Sequence, residues 1–292
     1  VALVVQSLVL GVLLGGLYAL LAAGLTLYFG VMRVVMIAHS AFLILAGYLA
    51  WYFHRVTGLD PLLSLPLTVS VFFAAGVAMQ RLLLARLRPA TRTMMSVLLT
   101  FSIALLIEGA LGTVFTGTQY RIQLGYSAAS LELFGARIAV VKLIAFALAA
   151  AALLALYLVM MKSRFGQALR ATIQHPEAAR LIGIQTERVA GYGFGLGLAT
   201  AAVGGTALAL DSTIYPSLHW RWIGPLMAII VVGGLGSVPG TAIAAMVLGM
   251  AMSLLQIPLG TTWAQTVFYL ALFATLAIRP QGFFGGRLAK RF

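Results

Sequence analysis

Residues Leu3–Phe29 read LVVQSLVLGVLLGGLYALLAAGLTLYF, an apolar run without a single charged side chain. About 20 such residues suffice to cross the ~30 Å hydrocarbon core of a bilayer as a helix, so this stretch by itself points to a membrane. It has neither a basic region before it nor a small-residue cleavage site, and is expected to be a retained span, not a signal peptide. Composition agrees. Of 292 residues, 62% are hydrophobic and 9% charged, against roughly 25% charged in soluble domains, which excludes a water-soluble fold. The chain has no cysteine, which removes disulfide frameworks, thiol nucleophiles and zinc–thiolate sites.

Working outward from this run, further apolar stretches occur at Ala38–Tyr52, Leu62–Leu84, Met94–Phe115, Ile138–Met161, Ala190–Leu210, Ile223–Leu235, Thr241–Ile257 and Thr262–Ile278. They predict an all-α polytopic membrane protein, one transmembrane domain over residues 1–292, with about nine transmembrane or half-membrane helices and eight to ten compatible with the boundaries. Ile223–Leu235 is short for a span and Ala38–Tyr52 marginal. Both adjoin Gly-, Pro- or His-containing breaks, and broken backbone survives at membrane depth only inside protein or against a wet cavity. Both are therefore expected at the centre of the bundle.

Basic residues set the orientation, because cytoplasmic connections accumulate Lys and Arg. Arg33, then Arg81, Arg86, Arg88 and Arg92, then Lys162, Arg164, Arg170, Arg180 and Arg188, and finally Arg279, Arg287, Lys290 and Arg291 all fall on one side, while Arg55, Arg121, Arg137, Lys142 and Arg221 are scattered over the other. The N-terminus is thus expected outside and the C-terminus in the cytoplasm. The net charge of +13 reads as a topogenic and lipid-headgroup signal; no basic stripe interleaves with exposed aromatics, so no nucleic-acid partner is expected.

The longest connections, about 116–137 outside and 162–189 inside, are too short for a soluble catalytic domain. The cytoplasmic one, Lys162-Ser-Arg-Phe-Gly-Gln-Ala-Leu-Arg-Ala-Thr-Ile-Gln-His-Pro-Glu-Ala-Ala-Arg-Leu-Ile-Gly-Ile184, contains its own short helix. Pro176 suits the first helical position, Glu177 the positive end and Arg180 the negative end, and Gly183 supplies the left-handed residue that stops it. About two turns do not persist alone in water. Ala178 and Ala179 allow close approach, and Leu181, Ile182 and Ile184 are costly to expose, so the helix needs a partner: lipid headgroups or a groove on a cytosolic protein.

Glu177-Ala-Ala with Gly183 a few residues on resembles the coupling motif of ATP-binding-cassette importer permeases. Four stretches in order, Gly24-Leu-Thr-Leu-Tyr-Phe-Gly-Val-Met-Arg-Val-Val-Met-Ile-Ala-His39, Gly166–Gly183, Gly233-Gly-Leu-Gly-Ser-Val-Pro-Gly240 and Arg279-Pro-Gln-Gly-Phe-Phe284, are similar to the signatures of branched-chain amino acid importer permeases. The resemblance implies a multi-pass subunit of the bacterial cytoplasmic (inner) membrane, forming half of a pathway for branched-chain or related small apolar amino acids. Its implied partners are a second homologous permease, two cytosolic ATPases and a periplasmic substrate-binding protein. It also implies ATPase coupling through Gly166, Arg170, Pro176, Glu177, Ala178, Ala179, Arg180, Leu181 and Gly183. Met36-Ile-Ala-His-Ser-Ala41 departs from the family pattern, lacking an amide and a carboxylate, and within the resemblance urea, short amides or an aromatic acid are alternative cargo. The rival classes are a proton-coupled carrier using Glu108 and His39, and a passive channel with 223–235 as a re-entrant segment.

No Gly-x-x-x-x-Gly-Lys-Ser/Thr sequence occurs, so nucleotide hydrolysis is assigned to partner chains and the subunit is not expected to be an enzyme or to carry a cofactor. The run Gly233–Gly240 reads first as a tight turn that lets backbones pack. Pathway candidates are His39, Ser40, Glu108, Gly233, Gly234 and Gly236. Glu108 lies in an apolar run, where an ionised carboxylate costs about 2.5–3.5 kcal/mol on insertion scales; Lys142 and Arg137, which begin the next run, either snorkel or pair with it. The four histidines have no metal-ligand spacing. Trp220 and Trp222 are expected in the interfacial belt, the alternative being that Asp211 and Arg221 mark a mouth receiving the binding protein. Glycines at 191, 193, 195 and 197 and at 11 and 15 predict close helix packing.

Overall fold

The computed structural model describes residues 2–32, 34–87, 91–133 and 136–285. Arg33, Arg88, Arg287, Lys290 and Arg291 of the basic set lie outside them. Every apolar run carries a helix. In chain order these are α1 (Ala2–Met32), α2 (His39–Thr57), α3 (Leu65–Leu82), α4 (Arg92–Val114), α5 (Val140–Lys162), α6 (Arg164–Gln174), α7 (Pro176–Leu181), α8 (Thr186–Asp211), α9 (His219–Gly233), α10 (Val238–Ala264) and α11 (Thr266–Ile278). Six, namely α1, α3 with its flanking turns, α4, α5, α8 and α10, are long and apolar enough to cross a membrane. The protein is an all-α polytopic membrane protein.

Two features depart from the expectation. The 116–139 connection holds a small antiparallel hairpin, β1 (Ser130–Leu133) on β2 (Ala136–Ala139). The 162–189 segment holds two helices where one was expected: α6 ends at His175 because Pro176 has no amide hydrogen to continue its ladder, and α7 starts there.

The short runs sit inside, as helix breaks in a membrane require. The first half of α2, from His39 to Ala50, and most of α9 are buried, α2 packing on α8 and α9. At 15 residues, α9 is about 22 Å long, less than the hydrocarbon core, and Pro225 lies within it. In α10 the helix breaks at Pro258 and Gly260, the latter at φ 75°, which is why the sequence pattern splits between Ile257 and Thr262.

Nearly all of α8 is buried, with α1, α2, α3 and α5 around it. Its glycines explain the closeness. A Cβ on Gly195 would lie 2.8 Å from the Phe73 carbonyl oxygen of α3, and one on Gly197 would meet the Tyr28 ring of α1 at 2.5 Å. Likewise a Cβ on Gly249 of α10 would lie 2.6 Å from Gly15 Cα of α1. Small residues let helices approach until backbone touches backbone, which is how association proceeds where lipid removes the hydrophobic drive.

The outside of the bundle is apolar: Met94 and Leu106 on α4, Leu154 and Leu158 on α5, and Leu270 and Phe273 on α11 are exposed. Water tolerates no such continuous belt; a hydrocarbon phase does. At the 116–139 end several polar groups are paired. Tyr126 donates to Asp60 Oδ2 at 2.8 Å, Arg137 Nε to Glu132 at 3.1 Å, and Lys142 Nζ to both oxygens of Asp211 at 2.9 Å.

Candidate coupling segment and pathway residues

The segment 162–189 is a rooted stem with a bare tip. Ser163 caps α6 by accepting the Gly166 amide at 2.9 Å, one of the orphan donors of a helix start. Gly166 is buried, and any Cβ there would run into the carbonyl oxygens of Val159 and Met160 at the end of α5. Arg170 donates to the Met160 carbonyl, closing the same junction. Leu169 is fully buried among Ala23, Leu27, Leu156 and Met160, so α6 is bolted to α1 and α5 through its apolar face.

On α7 the reverse holds. Gly183, at φ 84°, donates to the Arg180 carbonyl at 3.0 Å and Ile184 to Ala179 at 3.0 Å, the paired bonds that end a helix on a left-handed glycine. Arg180 Nε donates to Thr186 Oγ1 at 2.9 Å, tying the stop to the start of α8. Within Pro176–Gly183 only Ala179 is buried; Pro176, Glu177, Ala178 and Arg180 are exposed, and Leu181 and Ile182 stand 89% and 76% exposed.

All four signature stretches meet at this end of the bundle. A Cβ built on Gly30 would lie 3.3 Å from Gly236 Cα and 3.8 Å from Ile173 Cδ1. The 233–240 turn in turn packs on the 279–285 segment: Phe283 N donates to the Val232 carbonyl at 2.9 Å, and a Cβ on Gly240 would be 2.7 Å from Phe284 Cβ. Gly234 and Gly236 have φ of 95° and 85°, and Gly233 is buried under Gly240 and Thr241. Gly233, Gly234 and Gly236, expected on the pathway, therefore sit in a close-packed turn beside the stem of the 162–189 segment.

Comparison with known proteins places the chain in a family. Residues 7–276 match the family described as branched-chain amino acid transport system / permease component. The chain belongs to this family. Relatives include the high-affinity branched-chain amino acid transport system permease protein LivH of Salmonella typhimurium, 29% identical over 96% of this chain and 95% of that protein. The LivH protein of Escherichia coli is likewise 29% identical over 96% and 95%, and BraD of Pseudomonas aeruginosa is 26% identical over 96% and 95%. No solved structure matches.

The other candidates of this branched-chain permease family member are dispersed. His39 is fully buried at the start of α2; its Nε2 is 2.9 Å from the Leu21 carbonyl and its Nδ1 3.4 Å from Tyr28 Oη. Ser40 donates to the Ile37 carbonyl at 3.3 Å. Glu108 has different neighbours: Trp220 Nε1 donates to its Oε2 at 3.0 Å, and His219 Nε2 is 3.7 Å away. The expected pairing of Glu108 with Lys142 or Arg137 is corrected, since those cations are held by Asp211 and Glu132; a carboxylate takes the donor nearest in space, and α9 passes closer than α5. Trp220 is half-exposed beside Glu108, whereas Trp222 is largely buried.

Two features escaped the sequence reading. Thr100 of α4 serves the break between α1 and α2, its hydroxyl donating to the Val35 carbonyl at 3.1 Å and accepting from Ile37 N at 3.3 Å, groups that hydrocarbon could not satisfy. A hydroxyl in an apolar run is too common to single out. The second is a cavity of about 480 Å³ at the 116–139 end, between α1, α5, α8, α9 and α10, onto which Lys142, Asp211, Arg221, Trp222, Gln256 and Gln265 all face. With its amide turned to face the guanidinium, the Gln265 oxygen accepts from Arg221 Nη2 and Nε at 2.7 and 3.1 Å. Asp211 and Arg221 both line this cavity, with separate partners in Lys142 and Gln265.

Proposed function

We propose that this chain is the permease subunit of an ATP-driven importer for branched-chain or related small apolar amino acids, spanning the bacterial inner membrane as a single domain over residues 1–292. In this reading α1 to α5 and α8 to α11 are nine transmembrane or half-membrane helices. The N-terminus and the 116–139 end face outward, and the C-terminus and the 162–189 segment face the cytoplasm. The concentration of Lys162, Arg164, Arg170, Arg180 and Arg188 on that segment supports the orientation, and family membership with the named relatives supports the cargo.

The observation that carries the coupling role is the contrast between α6 and α7. A two-turn helix with Leu181 and Ile182 bare is mounted on a stem locked to α5 by Gly166 and Arg170. A rigid stem transmits displacement into the bundle, and a bare apolar tip fits a groove, the geometry of helix-in-groove recognition. The occupant of that role is a cytosolic ATPase, one per permease, with a second homologous permease completing the pathway and a periplasmic binding protein delivering the amino acid. Gly166, Arg170, Pro176, Glu177, Ala178, Ala179, Arg180, Leu181 and Gly183 form the coupling element. His39 and Glu108 have separate partners, which favours the ATP-driven reading over a shared proton relay.

Reconstitution in vesicles tests the assignment. Leucine uptake requiring both ATP and the cytosolic ATPase is the expected result; uptake driven by a proton gradient at constant ATP, or leak without either, overturns it.

A further inference from the structure

The cavity at the 116–139 end carries a charge pattern that the coupling role does not use. Lys142 and Asp211 neutralise each other at 2.9 Å. Arg221, itself exposed, faces the same space and among the described residues has only the neutral Gln265 oxygen as a partner, and Asp211 is the one acid among the described lining residues. The cavity therefore has one cation in excess. Trp222 adds a buried indole N–H without an acceptor among the described residues, and an indole can only donate. Guanidinium and indole N–H together lack an anionic acceptor, and the guanidinium's planar fork of donors matches a carboxylate.

The opposite requirement is met by Asp211, which lines the same cavity. The Asp211 oxygens each accept one bond from Lys142, leaving lone pairs on a carboxylate that can accept about four; its side chain is 20% exposed. The remaining wall is mixed: leucines of α1, Tyr18 and Met252 supply hydrocarbon and aromatic surface, and Ser212, Thr213, Ser253 and Gln256 supply neutral polar groups. A volume of about 480 Å³ lies within the ~300–1,000 Å³ range of small-ligand sites, which combine apolar lining with a few convergent polar groups.

We infer that this cavity binds a free α-amino acid with an apolar side chain, its carboxylate on Arg221, its ammonium on Asp211, and its hydrocarbon against Tyr18 and Met252. The inference rests on the import reading above and places a resting point for the substrate within this one chain. Because Lys142 shares Asp211 with the ammonium, the site discriminates chiefly by the carboxylate. Gln265 is displaced from Arg221 when the ligand enters.

The test is saturable binding of radiolabelled leucine to the assembled transporter in lipid nanodiscs without ATP. In the wild type, isovalerate, which keeps the carboxylate, should compete, and leucinol, which lacks it, should not; this arm needs no variant. Arg221→Gln should weaken leucine binding at least about tenfold, the loss of a charge-assisted contact, with Arg221→Lys retaining part of it and both variants eluting as monodisperse assemblies. Absence of saturable binding, equal competition by leucinol, or unchanged affinity in a monodisperse Arg221→Gln overturns the site. Should Arg221→Gln leave leucine binding intact but raise the concentration of binding protein needed for uptake, the cavity receives a carboxylate of that protein, and the proposal is likewise overturned. The two readings fail separately. Leucine uptake by Arg221→Gln at an unchanged half-saturating concentration removes this site and leaves import standing. Leucine binding by a transporter that carries no amino acid under ATP removes the import reading instead.

Discussion

Lys142 Nζ stands 2.9 Å from each carboxylate oxygen of Asp211, so a single ammonium joins the first turn of α5 to the last turn of α8. Both groups keep contact with solvent, at 39% and 20% side-chain exposure, and a partly exposed pair is worth at most about 1 kcal/mol. A double-mutant cycle with Lys142→Gln and Asp211→Asn, read by thermal unfolding in detergent, should return a coupling of about 0.5–1 kcal/mol that shrinks in high salt.

Gly249→Ala should be far more damaging. Its Cβ would sit 2.6 Å from Gly15 Cα and 3.1 Å from the Gly11 carbonyl oxygen, and backbone cannot move aside as a flexible side chain can. A loss of about 1–3 kcal/mol is expected, seen as a lowered melting temperature. Gly109→Ala on α4, with nothing within 4 Å of its Cβ, is the control and should leave it unchanged or raised, since alanine is the better helix former.

At the coupling tip, Glu177→Lys combined with Gly183→Leu should leave membrane insertion intact and abolish copurification with the ATPase. The first reverses charge at the positive end of α7; the second puts a branched side chain at φ 84°, where only glycine is unstrained. Leu181→Glu with Ile182→Glu should do the same without touching the fold, because both side chains lie in the open. Retained copurification and uptake would refute the role of α7.

Tyr126, in the connection between α4 and α5, has its phenol pushed above the ordinary value by burial and by its hydrogen bond to Asp60. A folded-state value above the unfolded one means the contribution is complete below about pH 10, where an unfolded tyrosine begins to ionise, and is lost as pH rises through the folded value. Tyr126→Phe should therefore lower stability by about 1 kcal/mol at pH 7, with the difference from wild type narrowing in alkaline buffer.

Much of this was legible in the residues because the bilayer restricts the options. A run such as Leu3–Phe29 can satisfy its backbone in lipid only as a helix, so every apolar stretch became one, including the short 223–235 run. The helix at 176–181 was legible for a local reason: Pro176, Glu177 and Gly183 each act on their own turn. By contrast α6 was missed as a separate helix, because its need for the α5 terminus appears only when Gly166 and Arg170 are seen against Val159 and Met160. The partner of Glu108 was not legible, because the two cations weighed for it, Arg137 and Lys142, begin the next apolar run, whereas Trp220 lies 112 residues further along the chain.

The sequence by itself determined a membrane-embedded helical bundle, its apolar runs, a self-terminating basic-loop helix and the absence of a nucleotide-binding loop, since each follows from periodicity, length or residues within a turn of one another. Tertiary structure alone decided that four distant signature stretches gather at one end of the bundle, that Glu108 faces Trp220, and that Lys142, Asp211 and Arg221 share one cavity. Those facts depend on how close helix axes come, and glycine contacts such as Gly15 with Gly249 set that distance only after the chain has packed.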